Sequence, residues 1–360
     1  MCKNHLLFAA LFVRAISANA ATTNTLTVTS AADSGAGTLR AAITQINAAS
    51  ANAADDAAAV HIITFAADAF PPNVETTISL ASALPAITQT NVTIRGHFRT
   101  SAGLPRAAIR IEPDSAASAE HPFRVLHHAA AGHFTLDSIA IASGRADNAN
   151  GGGVLSAGNA TIRRCVFRGN TASNGVGGAV HVATGRAIII DSIFAGNAAS
   201  SGAAVHADTI AAMNSIFLGN NTANPLSGAA HAVIAASFWH AMIAGNNGNG
   251  AHAHSPGSFY AYNCLIFGNT NTQIIDAEGE PITALIGGHG TSRLQDSHVN
   301  DESNIKTAAL TPKTIGGTPA SFIDGGIPAI LALLATDLEG APRPLDGEVA
   351  FGAFENSTQW

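Results

Sequence analysis

CVFRGN at 165–170, SIFAGN at 192–197, SIFLGN at 215–220, AMIAGN at 241–246 and CLIFGN at 264–269 are five copies of one phrase. The closing Gly-Asn returns after 27, 23, 26 and 23 residues. Small residues follow the first three copies: GGAVH at 177–181, GAAVH at 202–206 and SGAAH at 227–231. Self-similarity at this period marks a solenoid. Within a repeat, apolar runs such as 187–194 and 202–207 are bounded by Gly, Asn and Ser, and none is long enough for a helical solenoid. A coil of about 25 residues holding several short strands predicts an all-β fold, a right-handed parallel β-helix in which each strand lies on its counterpart one coil below, roughly 4.8 Å away. Stacking then places like on like. Phe167, Phe194 and Phe217 form an aromatic column continued by Ile243 and Ile266, and Asn170, Asn197, Asn220, Asn246 and Asn269 form an amide ladder at one bend. Asn suits that bend because its side chain bonds turn backbone.

The pairing of Phe-x-x-Asn with Gly-Gly-Ala-aliphatic resembles the repeat of polymorphic outer-membrane proteins and related autotransporter passengers. It stands here as FRGN 167–170 with GGAV 177–180, and as FAGN 194–197 with GAAV 202–205. Later copies depart from it (SGAA 227–230, IAGN 243–246). The resemblance implies a pectin-lyase-like solenoid and says little of function.

Residues 1–20 carry Lys3, the apolar run LLFAALFV at 6–13 and a small-x-small ANA at 18–20, the layout of a secretory signal peptide. The expected address is therefore secreted or cell-surface. No later run approaches the roughly 18 apolar residues of a transmembrane helix. Without Lys3 and Arg14, 15 of the 17 basic residues face 24 acidic ones, a net charge of −9. That balance, with no basic cluster, argues against nucleic acid as a partner. Cys165 and Cys264 occupy one slot four coils apart, roughly 19 Å at 4.8 Å per coil, too far for a disulfide. They are expected to be free thiols in a small-residue column with Ser138, Ser192 and Ser215.

Residues 21–75 are expected to hold a strand, TLTV 25–28, a turn, DSGAG 33–37, and a short capping helix over TLRAAITQINAA 38–49. Leu39, Ile43 and Ile46 share one helix face and Thr38 is the N-cap. An amphipathic helix covers the open apolar end of a solenoid's first coil. This order resembles secreted β-helix proteins with a Cys-Ser-Leu-Arg-Glu-Ala-type motif, whose place TLRAAI 38–43 takes without the Cys and the Glu. Residues 76–275 have room for roughly eight coils at the observed period, with 97–133 decorated. Residues 276–360 are expected to form an irregular closing segment. Asp337, Gly340, Pro342, Arg343, Gly352, Ala353, Phe354 and Glu355 resemble the closing phrase of choice-of-anchor surface proteins, with Ala350 where an Asp is usual.

Two constellations could carry chemistry. Asp137, Arg164 and Asp191 read as one slot in consecutive coils, followed by Asn214 and Asn263, with Arg163 and Arg168 nearby. In lyases built on such a fold, carboxylates hold Ca²⁺ and an Arg abstracts a proton; the alternative is a column of alternating charge. The carboxylate pair of a glycosidase is not evident. His181, His206 and His231 follow the small-residue phrase in successive coils, with His252 and His254 near the same place. Stacked imidazoles could hold Zn²⁺, or form a neutral outward stripe. No cofactor is required by the sequence. Two function classes stand: a non-enzymatic surface or secreted protein presenting a flank to glycans or cell-surface partners, favoured by the thin charge, and a polysaccharide lyase-type enzyme acting on acidic glycans.

Overall fold

The structure, a computed structural model, describes residues 23–49, 59–101, 104–253, 258–262, 264–271, 274–275, 293–295 and 298–299. The leader read at 1–20, Asn263, His254 and the closing phrase at 337–355 lie outside the described residues. The chain is a right-handed parallel β-helix. Short apolar runs alternate inward and outward, and turns too tight for a helix send the chain around to stack on itself.

Three sheets form the walls. The first runs through Thr23–Val28, Val60–Phe65, Asn91–Arg95, His133–Asp137, Asn159–Arg163 and Arg186–Ile190, then through the far halves of Val205–Met213 and Gly228–Trp239 to Ser258–Tyr262. The near halves of those two long strands turn onto an adjoining face with Leu126–His128, Val154–Ser156, Val180–Val182 and Asn249–Ala253. The second sheet has nine strands, from Thr76–Leu80 to His298–Val299. The third is short: Arg145–Asp147, Thr171–Val176, Ala198–Ser201 and Asn221–Thr222. Pairing in these walls is parallel; the antiparallel hairpin Phe98–Ser101 with Leu104–Ala107, and the one-turn helix Ser115–Glu120 capped by Asp114, are the decorations expected in 97–133.

The stack is longer than the expected 76–275. Thr23–Val28 already pairs in register with Val60–Phe65, and Arg293–Gln295 pairs with Tyr260–Tyr262. Strands before residue 76 and after residue 275 therefore add rungs to the walls. The helix Leu39–Ala49 lies where expected, with Leu39, Ile43 and Ile46 at most 1% exposed within the one large core. Thr38 Oγ1 accepts the Ala41 N–H at 3.2 Å, which caps it. Arg40 donates to Asp33 Oδ1 (2.6 Å) and to the carbonyls of Ser82 and Ala83 (2.8 and 2.6 Å), and Asn47 bridges Ala86 and Thr88. The helix is thus tied to residues 82–88, which hold Leu84 and Pro85, in the next coil.

Both columns read from the repeat are present. Phe167, Phe194 and Phe217 are fully buried, with ring centroids 4.9 and 5.1 Å apart and planes within 3°. Ile243 and Ile266 continue the register. In the amide ladder Asn170, Asn197, Asn220 and Asn246 each donate main-chain N–H and Nδ2 to the next Asn Oδ1, at 2.7–3.1 Å. The Nδ2 of Asn197 also reaches the carbonyl of Phe167, that of Asn220 reaches Phe194 and that of Asn246 reaches Phe217. These buried amides leave no polar atom of the ladder unpaired, as a low-dielectric interior requires.

A second repeated device sits at the bend between the first and second sheets. Ser138, Arg164, Asp191, Asn214 and His240 all take left-handed backbone, φ between 46° and 59°. One such residue per coil turns the chain a corner. The register corrects one expectation here: Asp137 stands opposite Arg163, so Ser138, not Asp137, shares the slot of Arg164 and Asp191. Ala140 opposite Val166 likewise places Ile139, not Ser138, in the column of Cys165. Both cysteines are buried and neither forms a disulfide.

Candidate functional site

Three groups of side chains stand out on the coil, the first at the bend. Arg164 holds Asp137 with both arms: Nη2 donates to Oδ1 and Oδ2 at 2.7 Å each, and Nε donates to Oδ1 at 3.0 Å. Ser138 Oγ adds a bond at 2.9 Å, Arg95 stands 3.8 Å away, and the Arg164 guanidinium lies 5.3 Å from the Phe98 ring centroid. Asp137 is 5% exposed. A bidentate pair of this kind is strong and geometrically fixed. Asp191 accepts from Asn214 Nδ2 at 3.2 Å. Of the three candidate catalytic residues, two are brought together as a structural clamp, and Asp191 stands one rung on from Arg164. Among the described residues no group of three or more His, Cys, Asp or Glu side chains is arranged to hold a metal ion.

Histidine forms the second group. The strands place His127, Leu155, His181, His206, His231 and His252 in one outward column. Ring centroids follow at 5.3 Å (His181–His206), 4.9 Å (His206–His231) and 4.6 Å (His231–His252). The outward direction agrees with the expected stripe; its exposure does not. His181, His231 and His252 are at most 8% exposed, and glycine loops press close to His181 and His206. A Cβ on Gly177 would come within 2.6 Å of His181 Cβ, and one on Gly202 within 2.8 Å of His206 Cβ. Both glycines sit at positive φ, so the loop needs glycine there twice over.

Burial decides the charge state of these rings. His181 and His206 are pushed down to about 4, each chiefly by loss of hydration. Arg124 lowers His181 further and the His181 ring lowers His206, while Asp208 pulls both up. Neighbouring imidazole charge is secondary to burial. The column's far end is satisfied: Ser227 Oγ meets His231 Nδ1 at 2.8 Å and Ser201 Oγ at 2.7 Å, and His252 Nδ1 meets His231 Nδ1 at 3.2 Å. At the near end His181 Nδ1 and His206 Nδ1 are buried with no hydrogen-bond partner. His128, facing inward beside His127, shows the contrast, with Ser156 Oγ at 3.1 Å and the Gln89 carbonyl at 2.8 Å.

A third group was not anticipated. On the first sheet, outward positions align Ile190, Met213 and Trp239 in one column, following Arg163, and Ile188, Ala211, Ser237 and Tyr260 in the next. Ile188, Ile190, Met213 and Trp239 pack together outside the core, with Trp239 and Tyr260 partly exposed. Strand alternation could have revealed this ribbon, since Ala187, Ile189, Ala212, Phe238 and Phe259 are the buried partners one residue away. Arg124 and Asp208 were also missed; the first lies in the unrepeated segment and carries no periodic signal.

Comparison with protein-family models, with curated proteins and with solved structures finds no match. The class therefore rests on the coil itself, a parallel β-helix with internal side-chain ladders. No helix of the described residues is long and apolar enough to cross a membrane.

Proposed function

We propose that this chain is a non-enzymatic binding protein, exported to the cell surface or secreted, that holds glycans along the flank of its first sheet. The observation that carries the reading is the ribbon on the outer face of the first sheet, where partly exposed Ile188, Trp239 and Tyr260 line up with the nearly buried Ile190 and Met213. Rings with an apolar face and a polar edge suit partners that are apolar on one side and hydrated on the other, and the faces of sugar rings are such partners. The ribbon carries no carboxylate and one flanking arginine, Arg163, so uncharged sugar faces fit it better than acidic ones. The lyase alternative receives less support. Its arginine and its first carboxylate satisfy each other, and Asp137 is nearly closed to solvent.

A glycan array probed with the wild-type protein and with Trp239→Ala/Tyr260→Ala tests the proposal. Binding to neutral glycans that drops at least tenfold in the double variant, with an unchanged circular dichroism spectrum, is expected. Binding that survives the double variant, or no binding at all, would overturn it. Unsaturated-product absorbance released from an acidic polysaccharide with Ca²⁺ would replace it with the lyase reading.

A further inference from the structure

Arg124 lies two residues before the strand Leu126–His128, and its Nη2 donates to the carbonyl of Asn150 at 2.9 Å. Asn150 lies one rung from Val176 and Gly177, whose loop closes on His181. Arg124 therefore stands over the near end of the histidine column, close enough for its charge to act on both His127 and His181. It makes no ion pair among the described residues, and its Nε–H is buried with no acceptor. Two further buried nitrogens without partners, His181 Nδ1 and His206 Nδ1, belong to the same end of the column. His181 is only 7% exposed.

Buried polar atoms without partners are rare and ask for a ligand or an ordered molecule. Here they share a sign. A guanidinium N–H only donates, and a neutral imidazole can carry its proton on Nδ1 and donate too. These atoms offer three donors and one fixed positive charge at the same end of the column. The carboxylate whose field reaches these rings, Asp208, accepts from the Gly185 N–H at 2.6 Å. A metal ion is the poorer occupant, because Arg124 repels it and no three His, Cys, Asp or Glu ligands converge among the described residues. We propose that Arg124, His181 and His206 form a binding site for a carboxylate group. Its two oxygens offer about four acceptor positions, enough for all three donors, and charge-assisted bonds to Arg are the strong ones. The site is separate from the aromatic ribbon and does not depend on the glycan reading.

An occupant of negative charge reverses the electrostatics of the rings. His181, held neutral by burial and by Arg124, and His206, held neutral by burial and by the His181 ring, gain a partner that favours their protonated forms. Binding is then coupled to proton uptake and strengthens as pH falls. The groups facing the pair are Arg124, His127 across the Leu155 rung, His231 on the next rung and Asp208, two residues after His206 on the same strand. A carboxylate could arrive as a free small acid or as the acid group of a sugar, and the two sources are separable.

The test follows His181 and His206 by NMR of histidine-labelled protein titrated in sodium chloride, sodium formate and sodium glucuronate at matched ionic strength. A rise of about one unit or more in both midpoints with a carboxylate salt is expected. A rise with formate identifies a small-acid site, and a rise with glucuronate alone identifies an acid carried on a sugar. Arg124→Gln should remove the rise while His128 keeps its chloride midpoint. Equal midpoints in all three salts would overturn the proposal, and so would a rise that persists in Arg124→Gln. The salt comparison needs only wild-type protein, so a poorly folded variant leaves it decidable.

Discussion

At the scale of single residues, the ladder amides and the stacked rings do different work. Phe194 sits fully buried between two parallel rings, and Phe194→Ala removes dispersion and leaves a cavity. A loss of about 3–5 kcal/mol on chemical denaturation is expected; a loss under about 1 kcal/mol would mean that the ring is not core. Asn220→Ala removes far less volume. It leaves the Asn197 main-chain N–H and amide without their acceptor, and the Phe194 carbonyl without its donor. Each buried orphan costs about 1–3 kcal/mol, so the smaller deletion should be at least as damaging as the larger. Equal or smaller loss for Asn220→Ala than for a surface control such as Asn221→Ala would refute the ladder's role. Cys165 gives a third check at this scale. Burial pushes its thiol up to about 12, and its Sγ–H lies within bonding distance of the Leu136 and Arg163 carbonyls. The thiolate is the reactive species, so Cys165 and Cys264 should label only once the coil unfolds. Rapid labelling of the native protein would show that the column opens.

Elements stand or fall with how the first helix is attached. Thr38→Ala removes one cap bond and should cost about 1 kcal/mol. Arg40→Met keeps the stem but removes the Asp33 pair and two carbonyl bonds to the next coil, so its cost should exceed that of the cap, at roughly 2–3 kcal/mol. Thermal melts of the two variants in parallel decide the order; a larger shift for Thr38→Ala would mean that propensity, not docking, holds the helix. How much of this was readable from the chain varies by element for a physical reason. In a stacked coil each inward position meets its own kind one rung away, so the Phe and Asn columns and the helix face are written as repeats. The bend was misaligned by one residue because coils differ in length. The step from Asp137 to its true partner Arg163 is one residue shorter than the step to Arg164 that charge alternation suggested. Arg124 could not be found at all, since a side chain reaching across a rung from an unrepeated segment leaves no periodic trace. The burial of the histidines was hidden for a similar reason: glycine loops press close to His181 and His206, and strand alternation does not show them.

Over the whole molecule, pH acts through that burial. Folded His181 and His206 titrate near 4, whereas the unfolded chain takes protons at the ordinary value of 6.5. Between those values the unfolded state holds more protons, so these two rings contribute their stability fully above pH 6.5 and lose it as pH falls toward 4. Each contributes at most about 1.4 kcal/mol per pH unit in that window. Melting temperatures measured in chloride should decline over this range in the wild type and less steeply in His181→Gln/His206→Gln; identical slopes would show that other groups control acid unfolding. A different property of the rod follows from the corner where Ser138, Arg164, Asp191, Asn214 and His240 succeed one another in the same left-handed conformation. The corner asks for a tolerated backbone angle and imposes no common side chain: a hydroxyl, a guanidinium, a carboxylate, an amide and an imidazole all serve. Such a rail uncouples inheritance of shape from inheritance of chemistry. The interior must be copied rung by rung to survive, while the edge is free to be rewritten one letter at a time, and a lineage of such rods can diversify what it displays without refolding.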